Sequence, residues 1–138
     1  MSREEFEKLI GEEFPSAVPE KFHHLIKNVV FLAEDKPDEA TRKEEGLGEG
    51  ETLLGLYRGI PHTARGNHYG EGMTLPDTIT LYRLPLEEEA AMLAAKYSLS
   101  GEVAMRRAIR ETIWHEVAHY MGYDEYQVRG REDERDIV

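Results

Sequence analysis

Apolar and polar positions alternate along this chain in two different periods. In residues 3–12, Phe6, Leu9 and Ile10 recur at helical spacing among charges, and Ser2 can cap the first turn, so a short amphipathic helix is predicted. Pro15 and Pro19 bracket a turn, with a second short helix beginning near Pro19. Residues 28–33 are β-branched and aromatic and predict a buried strand. Residues 34–51 are polar, carry Pro37, Gly46, Gly48 and Gly50, and predict a loop. Residues 52–58 and, with cleaner alternation, 78–84 predict two strands that can pair as a hairpin across a long glycine-rich connection. Pro85 is expected to end the second strand, and residues 86–97 then read as a helix with Leu86, Ala90, Leu93 and Ala94 as its packing stripe.

The last long helix is capped by Ser100 or Gly101, has an early apolar contact in Val103, and runs to about residue 121 before Gly122 stops it. On its wheel Ile109, Ile113, Val117 and Tyr120 share one arc. Ala108, Thr112, His115 and His119 share the next. Adjoining apolar and functional arcs predict a helix inside the fold rather than on its surface. Residues 129–138 are charged and read as a short exposed helix or a frayed end.

These elements predict a single α+β domain over residues 1–138. Composition narrows what it can do. The chain has no cysteine, which excludes thiolate metal sites, so any metal is held by His, Asp or Glu. A formal net charge of −11 argues against nucleic acid as partner, because phosphates are repelled. The first residues lack an apolar signal core, and the longest strictly hydrophobic run, residues 90–95, falls far short of the ~20 residues that span a bilayer. A cytoplasmic protein with no membrane contact is the expectation.

The chemistry concentrates in His115-Glu116-Val117-Ala118-His119, an H-E-x-x-H run. Residues four apart share one helix face, so two imidazoles at that spacing can bind one Zn²⁺. Glu116 lies further round the wheel, where its carboxylate can take a proton from a metal-activated water as general base. Shuffled chains of this composition would contain such a run in roughly 4% of cases, so its place at the end of the strongest helix adds weight. Gly122 can fold the chain back and bring a later ligand to the metal from a third direction. That spacing favours Glu125, with Asp124 as rival. Three protein ligands leave a fourth position for water, the catalytic arrangement.

With these residues in view, the chain resembles the small zincin-like metallopeptidases of minimal metalloprotease fold, whose motif is H-E-x-x-H-x-x-G-x-x-D. The resemblance covers nearly the whole chain and includes Leu53-Leu54-Gly55-Leu56-Tyr57-Arg58-Gly59-Ile60-Pro61, Leu75-Pro76-Asp77-Thr78-Ile79-Thr80-Leu81-Tyr82-Arg83 and Arg110-Glu111-Thr112. It implies an α+β fold, a zinc site on the long helix and peptidase activity on a peptide or protein substrate. His115, Glu116 and His119 correspond directly, and Glu125 stands where the family usually has Asp. Single-strand-specific endoribonucleases of ribosomal RNA maturation carry H-G-x-x-H-x-x-G-Y-D-H, and Gly122-Tyr123-Asp124 is similar. Here, however, Glu116 replaces their Gly and Glu125 their third His.

The expected mechanism is hydrolysis by water activated at zinc, with His115, His119 and Glu125 as ligands and Glu116 as base. The competing class is a zinc-stabilised domain that binds a peptide or partner without cutting it. Other candidates read mainly as structural. His62 and His68 are loop histidines. One of Tyr69, Tyr82, Tyr97, Tyr120, Tyr123 and Tyr126 could donate to an oxyanion. Trp114 reads as core. Glu111 or Thr112 can orient His115, or Glu111 can pair with Arg107.

Overall fold

A computed structural model describes residues 1–26, 29–59 and 76–121, with the backbone alone at His24 and Leu25. Helix α1 (Arg3–Ala17) starts where Ser2 Oγ accepts the Glu5 amide, the cap expected from the sequence. It continues past residue 12 and through Pro15, which was expected in a turn. Proline removes one donor from the final turn, and burial of Ala17 and Val18 offsets that loss. A 3-10 helix, Glu20–Leu25, then follows Pro19.

Strands β1 (Val29–Glu34), β2 (Gly55–Arg58) and β3 (Asp77–Tyr82) form one sheet in the order β1-β3-β2. β2 and β3 are antiparallel, as the alternating stretches predict, with Gly55 opposite Leu81 and Tyr57 opposite Ile79. β1 runs parallel to β3 on the other side, with Val29 opposite Asp77. It is not the buried strand expected: Val30 is 40% and Leu32 39% exposed, whereas Ala33 is buried and Val29 and Phe31 pack against the core. An edge strand with one covered face shows its alternate side chains to solvent whatever their polarity. Asn28, the predicted strand start, lies outside the described residues, as does most of the β2–β3 connection.

Residues 34–51 also depart from the loop reading, since they contain helix α2 (Glu39–Glu44). The Asp38 carboxylate accepts the Thr41 amide at 2.8 Å, and this bond holds its pKa below the ordinary carboxylate range. The Arg42 guanidinium donates to the carbonyls of Gly48 and Glu51, both at 2.7 Å, and so folds the glycine turns back on the helix. Local capping outweighed the proline and glycine content.

Helix α3 (Arg83–Tyr97) begins directly at the end of β3. Pro85, expected to terminate the strand, occupies the first turn of this helix, where amides need no intrahelical acceptor. Ser98, in a left-handed conformation at φ 55°, ends α3, and Ser100 Oγ caps the next helix by accepting the Val103 amide. That helix, α4 (Gly101–Tyr120), packs against α1, α3, β2 and β3. Val103 is 52% exposed and makes no early core contact; the inward stripe starts at Ala104 and Met105. Ile109, Ile113, Val117 and Tyr120 are fully buried, the arc read from the wheel. Each such side chain contributes about 1.5–3 kcal/mol relative to exposure. Trp114 is buried and stacked on Phe22, 5.8 Å between ring centroids.

Charge fixes α1 against α4. The buried Glu13 carboxylate accepts from Arg106 at 2.9 Å and from Arg110 at 2.8 Å, and Arg106 reaches Glu12 as well. The result is a mixed α+β arrangement, a small sheet packed against several helices, consistent with a zincin-like minimal fold. No helix among the described residues is long and apolar enough to cross a membrane.

Candidate metal centre

His115 and His119 stand one turn apart near the end of α4, both partly buried. Their Nε2 atoms are 3.3 Å apart. Two nitrogens each ~2.0–2.1 Å from a single tetrahedral ion stand about 3.3–3.4 Å apart. The rings therefore already have the separation that one such ion requires. Glu116 is buried, and one ligand atom from each of His115, Glu116 and His119 lies within 4.8 Å of the others. Two imidazoles and a carboxylate are a donor set suited to zinc.

The sheet register explains how Glu116 is held. The Tyr82 amide donates to the Leu54 carbonyl at 3.0 Å, so Leu54 and every second residue after it face β3. The amides of Gly55 and Tyr57 consequently face the opposite edge of β2. There the Tyr57 N–H donates to Glu116 Oε1 at 2.9 Å. A hydrogen bond to an ionised carboxylate is among the stronger kinds, and it fixes the direction of this side chain.

The Tyr57 side chain is anchored too. Its hydroxyl donates to Asp77 Oδ2 at 2.8 Å, and its ring meets Tyr120 edge-on, 5.9 Å between centroids. Asp77 has room because Gly59 lies opposite it. Gly59 has φ 150°, and a Cβ there would collide with the Asp77 carboxyl. Gly55 has a comparable role nearer the histidines. A Cβ at Gly55 would lie 2.8 Å from Thr112 Cγ2, 3.1 Å from the Thr80 carbonyl and 3.2 Å from Glu116 Cγ. Gly55→Ala is expected to push β2 away from α4 and to cost about 1–3 kcal/mol. Urea denaturation would measure that loss, and stability equal to the parent would show that the approach is not tight.

A cavity of about 360 Å³ lies between residues 52–55 and α4, and it opens onto His115 and Glu116.

The remaining candidates separate clearly. Glu111 is bound to Arg107 at 2.9 Å, the pairing weighed against a role in orienting His115. The Glu111 carboxylate raises the Arg107 guanidinium further above its ordinary range. Thr112 packs toward Gly55. Tyr82 and Tyr120 are buried in the packing, and Tyr97 lies outside against the Arg107 guanidinium, 4.7 Å from its ring centroid. Glu125, Asp124, Gly122, His62, His68, Tyr69, Tyr123, Tyr126 and the charged tail lie outside the described residues. Tyr57, Asp77 and the close approach at Gly55 had no place among the sequence candidates. A backbone amide leaves no mark in a sequence, and Tyr57 read only as part of a strand.

The family model described as zincin-like metallopeptidase matches residues 26–135 of the chain. No curated protein matches it.

Proposed function

The chain belongs to the zincin-like metallopeptidase family, and from that premise we propose that it is a zinc-dependent peptidase. His115 and His119 would hold the ion, with Glu125 as third ligand, and Glu116 would serve as the general base. Zinc bound there would polarise the scissile carbonyl and lower the pKa of the attacking water toward ~7. Glu116 takes a proton from that water and returns it to the departing amine. The Tyr57 amide keeps the Glu116 carboxylate aimed while this happens. The reading rests on one observation above the others: the 3.3 Å Nε2 separation of two histidines, with a buried glutamate carboxylate beside them.

The test begins with zinc content of the purified protein and cleavage of a mixture of unstructured peptides, followed by mass spectrometry. Stoichiometric zinc with metal-dependent cleavage is expected. Zinc without cleavage of any peptide would favour the non-catalytic binding domain instead. The third ligand is tested separately. Glu125→Ala should weaken zinc binding by more than the roughly 10–100-fold typical of losing an outer partner. Unchanged affinity in a competition titration with a chromophoric chelator would move the assignment to Asp124.

A further inference from the structure

We propose that the groove beside His115 and Glu116 selects peptides carrying a lysine or arginine side chain close to the scissile bond, an inference that rests on the peptidase reading above. The groove is the cavity of about 360 Å³ that opens onto those two residues. The charged residues lining it, Glu89, Glu111 and Glu116, are all acids, and no lysine or arginine lines it among the described residues. Leu54 and Ala108 add an apolar wall, which suits the methylene stem of a long basic side chain.

The acids are not equivalent. Glu116 is engaged by the Tyr57 amide and Glu111 by Arg107. Glu89 is partly exposed on α3 and forms no ion pair among the described residues. It is therefore the carboxylate most able to take a substrate cation. The adjoining cavity, about 480 Å³, shares Thr52 with the first and adds Glu39, Glu51 and Glu88 against Lys36 and Arg42. Arg42 donates to two backbone carbonyls, which leaves its charge in place, so these side chains add a single net negative charge. A concave surface of net negative charge concentrates field lines and attracts cations while repelling anionic side chains.

The experiment uses the whole chain as the zinc-loaded Glu116→Gln protein, so that binding is read apart from turnover. Three fluorescent peptides of equal length carry Lys/Arg, Gln or Glu around one central bond, and fluorescence anisotropy gives their affinities. The expected order is basic, then neutral, then acidic. Each step should be about fivefold, the ratio supplied by a partly exposed ion pair, and the order should flatten at high salt. Adding Glu89→Lys should abolish or invert it. Adding Glu4→Lys, the same charge change on the exposed face of α1, should leave it intact, which separates the groove from the general negative charge of the protein.

Equal affinity for the three peptides, no binding of any, or an order that Glu89→Lys leaves unchanged would overturn the proposal. Cleavage by the unsubstituted protein is followed in parallel. The expected binding order without cleavage would leave the cationic groove standing and overturn the peptidase reading. Cleavage without the order would do the reverse.

Discussion

Glu116→Gln is expected to abolish peptide hydrolysis while the protein keeps its zinc. A positioned general base contributes about 10²–10⁴-fold, so kcat/KM should fall by that factor at every pH where the parent protein is active. Glutamine is the informative replacement because of where this side chain sits. Its amide oxygen can accept the Tyr57 N–H as Glu116 Oε1 does at 2.9 Å, so the contact between β2 and α4 survives. The group has the same size in a buried position, which leaves packing intact. The amide differs in being unable to take a proton from water. Zinc content and kcat/KM, measured on one preparation, give the answer. Loss of zinc together with activity would make Glu116 a ligand rather than the base.

His115→Ala should remove the metal outright. The two imidazoles hold their Nε2 atoms at the separation one ion needs, and truncating one destroys that pair. The fold should tolerate the change. His115 is only partly buried, and the neighbouring core residues Ile113, Trp114 and Val117 point away into the packing. Zinc content should drop to background while the far-ultraviolet circular dichroism spectrum of α4 and its neighbours is retained. Stoichiometric zinc in a folded His115→Ala protein would exclude His115 as a ligand. His119→Ala should behave the same way, because His119 supplies the other nitrogen of the pair.

Much of this fold was legible in the chain itself. The Ser2 and Ser100 caps, the antiparallel β2–β3 pair and the buried arc of α4 each follow from a local pattern that packing reinforces. The misreadings share a physical origin. Pro15 and Pro85 read as breaks, yet Pro85 lies in a first turn, where amides need no intrahelical acceptor, and the donor lost at Pro15 in a last turn is offset by burial of Ala17 and Val18. The polarity of residues 34–51 hid a helix nucleated by Asp38. The apolar run of β1 suggested burial on both faces, but its neighbours cover only one.

The site divides along the same line. The sequence alone determined that His115 and His119 converge, because a four-residue spacing on a helix is a local relation that any helical context preserves. It also identified Glu116 as the carboxylate beside them. Only the tertiary structure decided what holds that carboxylate: the Tyr57 amide, 59 positions away in the chain, on the edge of β2 that faces away from β3. The need for glycine at residue 55 and the acid-lined groove were likewise decided there. Each depends on how closely a strand and a helix from distant parts of the chain approach, and that distance is set by packing rather than by local periodicity.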